Sequence, residues 1–203
     1  MLILIRLEVS KMFEKPFLSP IPVAILQSSD NKLKIRDCSH YTKILLRKRI
    51  NTEDTQESEV HFGKSKLRTD GTLITGSRPG EWTLYNPTSQ AADLLPEYMA
   101  LNDKIIFVDI THGRSLLSLE GEKATKVLEK TCNIDFSDEM VPDGACLSAS
   151  IGNVSCDLVR TGTNEEISFL IACERSFGEY LFRVLIDAGR EFGITPPDGL
   201  ELH

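Results

Sequence analysis

Two histidines stand in the same local setting. Asp37-Cys-Ser-His40 and Asp109-Ile-Thr-His112 both read D-x-[S/T]-H. A histidine works as an acid or base when a partner lies within hydrogen-bond reach, and Asp109 could meet His112 across a tight turn. The same residues also make a turn without chemistry, because Asp, Ser and Thr side chains accept nearby backbone N–H groups. The recurrence favours the turn. His61 and His203 lie in a polar region and at the terminus.

Asp157 is the other candidate. It sits inside an otherwise apolar run, SCDLVR, close in sequence to Arg160. A carboxylate in a strand either faces solvent or is held for a purpose, and solvent is the expectation. Arg114 and Arg175 fall at strand–turn positions and could grip a carboxylate bidentately; otherwise they are surface arginines. Trp82, the single tryptophan, belongs in a core or an interface. G-x-G-x-x-G, G-x-S-x-G and H-E-x-x-H are absent. Gly63-Lys-Ser65 is not a phosphate loop, because Ser58 stands where the first glycine is needed.

The chain of 203 residues is long enough for one sizeable domain or two small interlocked ones. Its net charge of −7 argues against sequence-independent nucleic-acid binding and against docking to an anionic membrane. Five cysteines, with no C-x-x-C pair, suggest neither a disulfide framework nor a zinc site. Buried, reduced thiols in a cytoplasmic protein are the expectation. Met1 to Leu7 is too short to span a membrane and reads as an extra strand.

The elements that would position these residues follow from local pattern. Pro16, Pro20 and Pro22 make Phe13 to Ala24 an extended arm. Leu33 to Ile50 reads as strand, turn and strand. Residues 51–60 are a polar loop, and Thr72 to Tyr85 is a hairpin. A helix opens at Thr88 with Ala91, Leu94 and Leu95 on its apolar face. Val108 to Gly121 gives a strand, a turn at 111–114, a second strand and the glycine that opens a helix over 122–131. Strands are expected at 146–150, 155–160 and 167–173, with a hairpin turn at 161–164. A last helix runs from Ser176 to Gly189, with Leu181, Val184, Leu185 and Ala188 at the spacing of one buried face.

The chain also echoes itself. The two D-x-[S/T]-H turns are each followed by an apolar strand, KILLRK or SLLSLEG. GEWTLYNPTSQAADLL at 80–95 and EEISFLIACERSFGEYL at 165–181 share an acidic start, a strand, a Ser/Thr turn and a helix. Two echoes in one order point to duplication. Each copy reads β–β–(α)–β–β–β–α. This implies an α+β fold of two related modules, with mostly antiparallel sheets and helices packed on one face. The division is an arm at 1–32, modules at 33–104 and 105–195, and a tail at 196–203.

The run from Val108 to Gly162, together with FLIACERSFGEYLFRVLIDAGREFGI, resembles the gamma subunit family of heterotetrameric sarcosine oxidase. GEWTLYNP is similar to that family's upstream Trp-bearing strand. The resemblance covers about 33–195 and places the chain in the wider superfamily of folate-binding aminomethyltransferases, typified by the glycine-cleavage T-protein. The superfamily pattern is similar to Thr111-His112, Gly121 with Ala124 and Leu128, Asn133 with Asp135, Gly144, and Asp157-Leu158. Asp157 stands where the T-protein's catalytic aspartate is, although the family's Asp-Asp-Leu is Cys156-Asp157-Leu158 here. A full T-protein is nearly twice as long. What the resemblance implies is a structural or assembly role in an enzyme that oxidatively demethylates sarcosine, coupled to tetrahydrofolate. FAD, FMN and NAD would sit on larger alpha and beta partner subunits and zinc on a small delta subunit, with no cofactor on this chain. The alternative is a stand-alone tetrahydrofolate-dependent transferase with Asp157 as its working carboxylate and Arg114 and Arg175 as folate-binding residues.

Overall fold

In the computed structural model, residues 17–48, 60–88, 90–91, 93–94, 105–162 and 166–200 are described. The expected strand at Met1–Leu7, the polar loop at 51–59 and the tip of the 161–164 hairpin fall outside them.

The strands in order are β1 (Ile25–Gln27), β2 (Lys34–Asp37), β3 (Thr42–Lys48), β4 (Ser65–Leu67), β5 (Leu73–Arg78), β6 (Glu81–Asn86), β7 (Ile105–Asp109) and β8 (Arg114–Glu120). Helix α1 (Ala124–Thr131) follows, then β9 (Cys146–Ile151), β10 (Val154–Arg160), β11 (Ser168–Glu174) and helix α2 (Gly178–Gly189). Ala91 and Leu94 are helical and pack against Ile44, Leu46, Ile74 and Leu84, as their spacing predicts.

Two antiparallel sheets form, one in the order β1-β2-β8-β11-β10-β9 and the other β4-β5-β6-β3-β7. Helices α1 and α2 cover one face of the six-stranded sheet, where Val127, Leu128, Leu181 and Leu185 meet Leu117, Leu158 and Ile171. Strand alternation sends the intervening residues the other way. Leu116, Val159 and Ala172 therefore meet Tyr85 and Leu73 of the five-stranded sheet. The outer face of that sheet carries Ile44, Leu46 and Leu84, with Trp82 packed against them and its indole N–H donating to the Val60 carbonyl at 2.7 Å.

The sheets do not follow the division at 104/105. β2 lies in the six-stranded sheet beside β8, and β7 lies in the five-stranded sheet beside β3. Taking β2–β6 and β7–β11 as the copies, each sheet holds strands two to five of one copy and the first strand of the other. The expected arm also differs at its end. Ile25-Leu26-Gln27 pairs with β2, and Ile21 is buried in the core. Leu200, placed in the tail, packs on the same core.

The exchange passes through the repeated turns. Asp37 accepts the Ser39 N–H at 2.8 Å, and Asp109 accepts the Thr111 N–H at 2.9 Å. The Ser39 hydroxyl then accepts the Leu116 N–H at 3.0 Å, and the Thr111 hydroxyl accepts the Lys43 N–H at 2.9 Å. Each turn thus bonds to the strand that leaves the other. These side chains satisfy backbone donors where the chain leaves one sheet for the next. Gly121 closes the second copy's strand pair. Its φ is +105°, and a Cβ there would stand 2.4 Å from the Lys32 carbonyl oxygen. Glycine alone meets both conditions.

Candidate functional site

Asp157 does not face solvent. Its position on β10 points it between the two sheets, and it is only 9% exposed. Arg114, at the start of β8, donates to its Oδ2 at 2.6 Å and to Glu174 Oε1 on β11 at 3.0 Å. The Ser148 hydroxyl lies 3.5 Å from Asp157 Oδ1, and Arg78 from the other sheet lies 3.9 Å from the same oxygen. Arg78 and Arg47 both also pair with Glu81, at 3.6 and 2.6 Å. Alternating charges therefore run from Arg47 on one sheet to Glu174 on the other.

The electrostatics follow from this placement. Burial opposes the charge on Arg114, yet Asp157, then Tyr85 and Glu174, hold its pKa above the usual value. Burial raises the Tyr85 phenol well above its ordinary range, and the charge of Asp157 adds to the effect. The Cys146 thiol is pushed up to about 12 by burial and then by Asp157. Both shifts favour the neutral phenol and the neutral thiol. Arg114 ties Asp157 to Glu174 within the six-stranded sheet, and Arg78 is the contact that reaches this group from the other sheet.

The structure brings Arg114 to Asp157 but takes Arg175 elsewhere. Arg175 donates to the Leu18 carbonyl and stacks against the Phe17 ring, its guanidinium carbon 5.1 Å from the centroid. Phe17 also packs 5.4 Å from the His112 ring. Asp109 serves the turn, as the recurrence suggested, so His112 has no carboxylate bound among the described contacts. Arg160, near Asp157 in sequence, points to the opposite face. It pairs with Asp138 at 2.7 Å and Asp143 at 2.8 Å, holding the connection before β9.

Arg78, Tyr85 and Glu174 complete the site without having been singled out in the sequence. Their nearness depends on strand register and on sheet-to-sheet packing. Lys43 was also missed, reading as one more charge in KILLRK. It is fully buried, and its ammonium donates to the Ser39, Tyr41 and Thr111 carbonyls at 2.6, 2.8 and 3.1 Å. Burial draws its pKa down to about 8, with Asp109 and Asp37 opposing. Among the described residues, no group of three or more His, Cys, Asp or Glu side chains could hold a metal. No helix among them is long and apolar enough to cross a membrane.

The GCVT N-terminal domain family matches residues 67–201. The chain belongs to this family. It is 33% identical over 129 residues to the sarcosine oxidase subunit gamma of Corynebacterium sp. (strain P-1), a match covering 63% of this chain and 61% of that one. It is 36% identical over 85 residues to the subunit of the same name from Corynebacterium sp. (strain U-96), covering 42% and 40%. The chain thus spans between two fifths and three fifths of these relatives' lengths. One chain of the heterotetrameric sarcosine oxidase from Corynebacterium sp. U-96 superposes with a TM-score of 0.68 at 25% identity, over 81% of this chain and 87% of that chain. The α+β fold expected of this GCVT family is therefore the one observed.

Proposed function

We propose that this chain is a gamma-type subunit of a heterotetrameric sarcosine-oxidase-like complex, with a structural and assembly role. The reaction of that complex would be oxidative demethylation of sarcosine coupled to tetrahydrofolate. Its flavins and NAD would reside on alpha and beta partners and its zinc on a small delta partner. The likeness to gamma subunits along much of the chain supports the assignment. The observation that carries the non-catalytic role is the Asp157–Arg114 pair at 2.6 Å. A carboxylate that must accept a proton or bind a substrate amine needs a free oxygen in reach. Here Oδ2 is committed to Arg114, and Oδ1 faces Ser148 and Arg78. Asp157 is thereby held as one link in a chain of ion pairs rather than as a free base.

Affinity purification of the tagged chain from its native source tests the reading. Flavin-bearing chains should co-purify in fixed stoichiometry, and deleting the chain should leave them unassembled. A fully assembled, active flavoprotein complex lacking this chain would overturn it. Calorimetric titration of the isolated chain with tetrahydrofolate should give no heat. Binding that weakens in Asp157→Asn would instead support the stand-alone transferase.

A further inference from the structure

The six-stranded sheet carries a second arrangement, on the face away from Asp157. Cys156 on β10 stands directly opposite Cys173 on β11. The phase of this ladder is set at its far end, where the Thr161 N–H donates to the Ser168 carbonyl at 2.9 Å. Bonded and non-bonded pairs alternate along an antiparallel ladder, so Cys156–Cys173, an odd number of steps away, is a non-hydrogen-bonded pair. The Cα atoms of such a pair lie about 4.5 Å apart, within the span of a disulfide.

Both side chains point toward the helices, and each is 1% exposed. The Cys156 thiol donates to the Val154 carbonyl at 3.4 Å, which holds its proton in place, and the adjoining Cys156 thiol favours the thiolate at Cys173. Arg114 favours the thiolate at either residue. Cys38 precedes β3, Cys132 caps α1, and Cys146 lies opposite Val159, so none shares this pairing.

We propose that Cys156 and Cys173 form a modification site, a cross-strand dithiol that a hydroperoxide converts to an intramolecular disulfide. With hydrogen peroxide, the Cys173 thiolate attacks one oxygen, the O–O bond breaks, and hydroxide leaves with a sulfenic acid on Cys173. The Cys156 sulfur then attacks the sulfenic sulfur, the S–S bond forms, and water leaves. Two thiols lose two electrons in all, and one peroxide becomes two waters. Peroxide is little larger than water, so a local opening of the sheet's helical cover would admit it to the pair. Cys156 precedes Asp157, and Cys173 precedes Glu174. The bond would thus tie together the strands whose two carboxylates grip Arg114.

The test uses the full chain, reduced and then exposed to hydrogen peroxide. Remaining thiols are alkylated in denaturant, and the protein is digested without reductant. The expected map shows one crosslink, Cys156 to Cys173, reversed by dithiothreitol, with Cys38, Cys132 and Cys146 alkylated. Cys156→Ala should abolish the crosslink and carry Cys173 on to sulfinic acid. Five alkylated cysteines after peroxide, or a crosslink that includes Cys38, Cys132 or Cys146, overturns the proposal. The unsubstituted protein supplies the deciding map, so a poorly folded variant does not blunt the test. The result is also independent of co-purification with flavoproteins.

Discussion

Buried charge decides most at the scale of single residues. Asp157 and Arg114 have side-chain exposures of 12% and 18%, so each depends on the other. Removing one partner of a buried pair costs more than the pair contributes, because the survivor stays desolvated and unpaired. Asp157→Asn should lower the unfolding free energy by about 3 kcal/mol in urea titration. The double variant Asp157→Leu/Arg114→Leu should recover part of that loss, and full additivity of the two single changes would contradict the coupling. Lys43 poses the opposite problem. Its three donors occupy three carbonyls of the two crossovers. Lys43→Met removes the desolvated charge but orphans these acceptors. The net expectation is a loss of about 1–3 kcal/mol in the same assay.

Elements meet at a few points where a small change is felt. Gly178 opens α2 against β8, and a Cβ there would stand 2.8 Å from the Ser115 Cβ and 2.2 Å from its hydroxyl. Gly178→Ala should destabilise by about 1–3 kcal/mol despite alanine's better helix propensity. Adding Ser115→Gly should relieve it. Glu120 ties β8 to β2, accepting from Ser118 at 2.5 Å and pairing with Lys34 at 3.0 Å and Arg36 at 3.2 Å. Burial disfavours its charge, but the Ser118 hydroxyl and these cations outweigh burial and hold its pKa below the ordinary value. The unfolded state then takes up the proton first as pH falls. The stabilisation is complete above about pH 4.5 and is lost as pH drops through the lower folded value. Unfolding free energy measured through that window should fall more steeply in the native sequence than in Glu120→Gln. Much at this scale was legible in the residues. Apolar spacing marked α2 and the strands of the second copy, and Asp-x-Ser/Thr marked two turns, though not that the chain changes sheets at them. Partners across strands were not legible. Arg114 meets Glu174 only through the β8–β11 register, and Arg78 reaches Asp157 only because two sheets stack.

The whole molecule is organised by exchange. A duplicated chain could have folded as two separate modules in sequence, and the echo between the halves suggested that. Instead each copy lends its first strand to the other's sheet, and the reciprocal turn bonds hold both crossings. Asp157 and Arg78 then face each other across the seam that this exchange creates. The arrangement makes the halves interdependent. Without residues 1–104 the six-stranded sheet loses β1 and β2, leaving the β8 edge bare, and it loses Leu33 and Ile35 from its core. Without residues 105–203 the five-stranded sheet loses β7 and the cover over Tyr85. Cutting the chain between 104 and 105 should therefore give two fragments that each unfold without a cooperative transition. Co-expressed, they should elute as a one-to-one complex and regain a single transition close to that of the intact chain. A fragment of 105–203 that melts cooperatively alone would show that the borrowed strands are dispensable and that the halves fold as separate modules.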